Sequence, residues 1–179
     1  MRDRTTLDAR TIALIAILSA VTVVFTLVVR IPFAPTRGYF TLADVGVYFS
    51  SFAFGPLIGL VVGGLGTGLA DILGGYAHFA IWSLLIHGLQ GLVAGLLGHR
   101  RGLPGMVAGW IAGAVIMVGG YFLVEYFLYG PGPAIAEAVT VNLPQVAIGG
   151  LAGLLLVLGV RRAYPQIETL TQPRTWSEG

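Results

Sequence analysis

The chain has 179 residues, 56% of them hydrophobic and 10% charged, with a mean hydropathy of +0.86 and a net charge of +2. Soluble domains carry about 25% charged residues, so the composition excludes a water-covered surface over most of the chain and makes lipid its solvent. The absence of cysteine excludes disulfides and thiolate metal sites, and the ten basic residues, all arginine, cluster at the ends of apolar runs, a pattern that points away from nucleic acid.

Met1 to Arg10 carries no small-residue cleavage pattern, so the apolar run Thr11 to Val29 is expected to be a first permanent span. Arg30, Pro32, Pro35, Arg37 and Gly38 then mark a loop. A short second run, Leu42 to Phe54, closes at Gly55-Pro56, a turn signal because proline has no N–H to donate. The third run, Leu57 to Leu73, ends at Gly74-Gly75, and the fourth, Phe79 to Gly98, at His99-Arg100-Arg101. The fifth, Leu103 to Leu128, ends at Gly130-Pro131-Gly132-Pro133, and the sixth, Ala138 to Val160, at Arg161-Arg162. Barrel strands need about 10 residues of alternating character, and these longer runs do not alternate. The expected fold is therefore all-α, an integral membrane bundle of six transmembrane helices over residues 1–162, with residues 163–179 as a short disordered cytoplasmic tail.

Arginine sets the orientation. With a cytoplasmic N-terminus, the inner side holds Arg2, Arg4, Arg10, Arg100, Arg101, Arg161, Arg162 and Arg174, and the outer loops hold only Arg30 and Arg37. The positive-inside rule thus predicts six crossings of the cytoplasmic membrane with both termini inside. The 27 glycines are about twice the usual share. Gly59 and Gly63, Gly64 and Gly68, Gly91 and Gly95, Gly109 and Gly113, and Gly149 and Gly153 lie four apart, a spacing that lets helix backbones approach closely. Packing of that kind leaves a small cavity, not a wide pore.

Ionisable groups in a membrane cost about 2.5–3.5 kcal/mol each on insertion scales and normally face a protein interior. The candidates are Asp44, Asp71, His78, His87 and Glu125, and all but His87 fall near the outer side of the predicted topology. Tyr121, Glu125 and Tyr129 are four apart on one helix face, as are His78 and Trp82 on another helix. Asn142 and Gln145 share a face with Gly149, and Pro144 between them frees a carbonyl. Tyr39 and Tyr76 adjoin from outer loops. The predicted substrate pocket is thus Tyr39, Tyr76, His78, Trp82, Glu125, Tyr129, Asn142 and Gln145: aromatics to stack on a flat ring, an acid and two carboxamides to fix its polar edge. Asp44 and Asp71 are read as structural, with Arg30 or Arg37 as partners, and His87 with Gln90 as an interhelical hydrogen bond. No metal-ligand spacing and no catalytic constellation is present in the sequence.

The stretches Gly38-Tyr39-Phe40-Thr41-Leu42-Ala43-Asp44, Phe54-Gly55-Pro56-Leu57-Ile58-Gly59 and Ala70-Asp71-Ile72-Leu73-Gly74-Gly75 resemble the substrate-binding (S) components of energy-coupling factor (ECF) vitamin transporters. So do Leu84-Leu85-Ile86-His87-Gly88-Leu89-Gln90-Gly91 and Asn142-Leu143-Pro144-Gln145, in the same order. The resemblance covers residues 9 to 160 and is strongest to members assigned to thiamine precursors, especially hydroxymethylpyrimidine. It implies six helices, a vitamin site near the outer face covered by the segment from Arg30 to Thr41, and a partner module of one transmembrane coupling protein and two ATP-binding subunits. It also implies docking on the coupling protein through small residues of the first helix, here Ala9, Ala13, Ala16 and Ala20.

The function so implied is capture of a vitamin or vitamin precursor, followed by import driven by ATP hydrolysis in the partners. No cofactor is expected on this chain. It has no Lys and hence no Gly-x-x-x-x-Gly-Lys loop for ATP, and few polar groups suited to a phosphorylated ligand. Two other classes are open: a stand-alone secondary transporter or channel for a small heterocycle, and an intramembrane enzyme. Dependence on ATP or on an ion gradient separates the two transport readings.

Overall fold

The computed structural model describes residues 9–171. The apolar runs form helices that end where proline, glycine and arginine interrupt them: α1 (Ala9–Val28), α2 (Ala43–Phe54), α3 (Pro56–Gly74), α4 (Ala80–Gly98), α5 (Gly102–Tyr129), α6 (Pro131–Glu137) and α7 (Leu143–Ala163). The expected loop between α1 and α2 is instead an antiparallel hairpin, β1 (Arg30–Phe33) and β2 (Gly38–Thr41), with Arg30 opposite Thr41 and Phe33 opposite Gly38. The sixth run starts earlier than expected. Pro131 occupies the first turn of α6, where its missing N–H is harmless, and a π-helical turn, Ala138–Asn142, joins α6 to α7 in one rod. Residues 165–171, expected to belong to a disordered tail, form 3₁₀ turns that bury Ile167 against the core. Arg2, Arg4 and Arg174, and the tail beyond Thr171, lie outside the described residues.

The chain is an all-helical membrane bundle apart from the hairpin. α1, α3, α4, α5 and the α6–α7 rod are each long and apolar enough to cross a membrane. α2 is not. Its 12 residues rise about 18 Å, against about 30 Å of hydrocarbon. All of α2 except Phe49 is buried, so it runs through the centre of the bundle. Its C-terminal end is pinned at the Phe52 carbonyl, which accepts from Arg161 Nη2 at 2.9 Å and His99 Nδ1 at 3.0 Å. That end therefore lies level with the arginine-rich ends of α4 and α7. Measured from there, α2 stops about 10 Å short of the opposite face, and the hairpin occupies the remaining depth.

The core packs Tyr48 and Phe52 of α2 against Ile58, Val62, Ile86, Met106, Met117, Val146 and Val157. Two polar tips are satisfied within it: Tyr48 donates to the Trp110 carbonyl (3.0 Å) and the half-buried Trp110 donates from Nε1 to the Val146 carbonyl (2.9 Å). α1 buries only Ser19, Thr22 and Thr26. The two threonine hydroxyls return to carbonyls one turn back, Thr22 to Leu18 at 2.9 Å and Thr26 to Thr22 at 2.7 Å. Ala9, Ala13, Ala16 and Ala20 form a separate, exposed stripe on α1.

α3 and α4 meet backbone to backbone. A Cβ placed on Gly91 would overlap the Gly59 carbonyl of the facing helix, and backbone cannot swing aside as a side chain can. Gly91→Ala is expected to destabilise the fold by about 2 kcal/mol through overpacking, read as a lower melting temperature in detergent. Gly119→Ala, with nothing within 4 Å of the added methyl, leaves that temperature unchanged.

Candidate functional site

At the end of the bundle away from the arginine pairs, the hairpin, α1, α3, α4, α5 and the α6–α7 rod enclose a polar cavity of about 30 Å³. The short α2 creates this space, because its first turn begins at cavity depth and the root of the hairpin, Thr41, lies in the wall.

The hairpin covers the cavity through three contacts. Tyr39 donates its hydroxyl to Asp71 Oδ1 on α3. The Thr41 N–H donates to Gln145 Oε1 at 2.8 Å. Gly38 lies so close to the Glu137 carboxyl that a Cβ there would overlap it. Outside the cavity, Tyr76 packs on Tyr39 with ring centroids 4.3 Å apart, and the Arg30 guanidinium sits 5.5 Å above the Tyr76 ring. Arg30 also donates to the Gly74 carbonyl at 2.7 Å, a cation at the C-terminus of α3. The expected pairing of Arg30 with Asp44 or Asp71 is therefore not what forms.

Asp44, in the first turn of α2, is wholly buried. Its two oxygens accept from Gln90 Nε2 (2.5 Å) and Gln145 Nε2 (2.8 Å). Gln90 Oε1 lies 2.6 Å from His87 Nδ1. The His87–Gln90 contact lies within α4; the link between helices runs from Gln90 to Asp44. Next to His87, Ser83 Oγ and Tyr121 OH are 2.5 Å apart.

Glu125 of α5 and Glu137 of α6 face each other beside Asn142 of the π turn. All three are buried, at 0%, 3% and 3% exposure. Among the described residues, both Glu125 oxygens, Glu137 Oε2, Asn142 Nδ2 and Asp71 Oδ2 have no hydrogen-bond partner. A buried polar atom left unpaired costs about 1–3 kcal/mol, and such atoms rarely gather at one place without a purpose. The π turn assembles this group. At about 100° per residue, positions five apart on an α-helix point about 140° away from each other. A π turn bonds i to i+5 and stacks them, which brings Glu137 and Asn142 to one face.

Of the residues predicted from sequence, Tyr39, Glu125, Asn142 and Gln145 line the cavity. Gln145 does so with one bond at each end of its amide, from Thr41 and to Asp44. Tyr76, His78 and Tyr129 stand behind the wall: Tyr76 on Tyr39, and His78 and Tyr129 with ring centroids 4.6 and 6.4 Å from Phe79. Trp82 does not reach the cavity. α4 presents Ser83 and His87, one turn apart, and Trp82 falls on the adjoining face, 38% exposed. Glu137, which falls between the predicted fifth and sixth runs and is not among the candidates from sequence, also lines the cavity, as does His87, expected to be structural.

The family model described as ECF-type riboflavin transporter, S component, matches residues 6–162. The chain is 36% identical over 143 residues to the thiamine precursor transporter HmpT of Lactococcus lactis subsp. cremoris, covering 79% of this chain and 82% of that protein. It is 38% identical over 141 residues to an uncharacterized protein of Pyrococcus woesei, covering 76% of this chain and 94% of that protein. The chain therefore belongs to the ECF-type riboflavin transporter S component family, whose members are membrane transport proteins and not enzymes.

Proposed function

We propose that this chain captures a single-ring, amine-bearing heterocycle, hydroxymethylpyrimidine or a related thiamine precursor, at the outer face of the cytoplasmic membrane. The observation that carries the reading is the convergence of Glu125, Glu137 and Asn142 on one cavity, with both Glu125 oxygens, Glu137 Oε2 and Asn142 Nδ2 unpartnered among the described residues. A carboxyl accepts from an exocyclic amine while a carboxamide N–H donates to a ring nitrogen, the pattern of an aminopyrimidine edge. Tyr39, Phe79 and Tyr121 supply aromatic faces for the ring. The similarity to HmpT supports the same substrate class. Riboflavin is the second reading, from the description of the family. A partly open cavity of about 30 Å³ needs less widening for the smaller ligand, and either one requires the hairpin to move outward.

In this reading six segments cross, α2 being the short one completed by the hairpin, and both termini are cytoplasmic. The exposed stripe of Ala9, Ala13, Ala16 and Ala20 docks on a transmembrane coupling protein, and two ATP-binding subunits drive import. Titration calorimetry on the purified chain, with hydroxymethylpyrimidine, thiamine, pyridoxine and riboflavin, tests the substrate. Saturable heat with the pyrimidine supports the reading; heat with riboflavin alone replaces it by the second. Ala16→Leu is expected to leave that binding intact and abolish ATP-dependent uptake in cells carrying the partner module. Uptake by the chain alone in ATP-free vesicles under an ion gradient would instead mark a stand-alone transporter.

A further inference from the structure

The geometry points to His87 as a specificity-determining residue: its Nε2 is a bare acceptor for a hydrogen-bond donor on the ligand, and Gln90 and Asp44 hold it in that form. This rests on the reading of the cavity as a ligand site. The orientation of every group in the chain follows from what each can donate or accept.

The backbone N–H of Thr41 is a donor only, so Gln145 must offer it the carbonyl oxygen, at 2.8 Å. The Gln145 NH₂ is then left for Asp44 Oδ2, at 2.8 Å. The other Asp44 oxygen accepts at 2.5 Å from Gln90, which must turn its NH₂ toward the acid and its carbonyl oxygen away. That oxygen lies 2.6 Å from His87 Nδ1. An amide oxygen only accepts, so Nδ1 carries the proton. A neutral imidazole has one ring proton, which leaves Nε2 with a free lone pair. This is the reverse of the tautomer that an unconstrained histidine favours. The ring is 3% exposed and lines the cavity in the same wall as Asp71, and the hydrogen bond it makes to the protein is the one at Nδ1.

The ligand must therefore bring a donor to His87, a hydroxyl or an amine, in addition to the one it brings to Glu125. A hydrophobic or acceptor-only substituent there would leave the lone pair buried and unpaired. The root of the hairpin is the far end of the same chain of bonds, so the His87 tautomer also depends on Thr41 being in place.

Nitrogen NMR of the full chain in detergent, with isotope-labelled histidine in mildly alkaline buffer, reads the tautomer directly. His87 is assigned by the signal lost in His87→Gln. His99, whose Nδ1 donates to the Phe52 carbonyl at 3.0 Å, gives an internal reference for the same tautomer. The expected result is a protonated Nδ1 and a bare Nε2 at His87, with a shift toward protonated Nε2 in Gln90→Met. Wild-type protein should bind the aminopyrimidine alcohol about tenfold more tightly than its O-methyl ether, one hydrogen bond's worth, and Gln90→Met should narrow that preference. A protonated Nε2 in the wild type, an unchanged His87 signal in Gln90→Met, or equal binding of alcohol and ether would overturn the assignment. Absence of binding by both pyrimidines, with the bare Nε2 signal present, sinks the proposed substrate and leaves the polarity of His87 established.

Discussion

Asp44→Leu is expected to lower stability by about 3 kcal/mol, a large effect for a substitution that adds apolar volume inside a membrane protein. Asp44 accepts from two carboxamides, and a buried donor left without its acceptor costs about 1–3 kcal/mol. Leucine removes both acceptors and leaves the Gln90 and Gln145 NH₂ groups buried without partners. Apolar replacement is harmless only when both sides of a polar contact are replaced, so Asp44→Leu with Gln90→Met and Gln145→Met should recover much of the loss. Thermal unfolding in detergent measures both. The effect should also be local. Freed from Asp44, Gln145 no longer holds the Thr41 N–H, and hydrogen exchange should rise in the hairpin before the arginine-rich end of the bundle. Wild-type melting in Asp44→Leu would show that the two amides find other partners and that Asp44 does not organise the root of the hairpin.

Much of the bundle was legible because its punctuation is chemical. Gly55-Pro56, Gly74-Gly75 and Arg100-Arg101 interrupt apolar runs for reasons that do not depend on tertiary context, and the helices end there. The hairpin was not legible, because the region from Arg30 to Thr41 carries two prolines and a glycine and its pairing is stabilised by what it covers: Asp71, Glu137 and Gln145. Nor was the partner of Arg30, since the C-terminus of α3 and the Tyr76 ring outcompete a carboxylate that already has a phenol donor.

The site was half legible for a related reason. Glu125, Asn142 and Gln145 sit at α-helical spacings from other polar residues, and such patterns survive in sequence. Glu137 lies five residues from Asn142, a separation that belongs to the opposite side of an α-helix and to the same side of a π turn. No sequence periodicity announces a π turn. Pro144, just after it, was the available signal, because it removes a backbone donor and disturbs the ladder. Trp82 shows the converse error: aromatic character suggested a ring-stacking role, but a residue one position from Ser83 cannot share its face.

Glu125→Gln is expected to weaken ligand binding about tenfold, the loss of one hydrogen bond of about 0.5–1.5 kcal/mol. Glutamine keeps the size of the side chain but puts an NH₂ where one oxygen was, so a donor would face the ligand's amine. The same change should leave the unliganded protein as stable as before or more so. Both Glu125 oxygens are buried without a partner and Glu137 stands beside them, so removing one of two neighbouring buried carboxyls relieves a desolvation cost. Opposite signs for binding and stability are the mark of a group kept for its ligand and not for the fold. Glu137→Gln should act in the same direction, and the double substitution should cost less than the sum, because the two acids share one neighbourhood. Calorimetric affinity and melting temperature, taken on the same preparations, decide it. A drop in melting temperature with unchanged affinity would make the acid pair structural and move the polar edge of the ligand to Asp71 and His87.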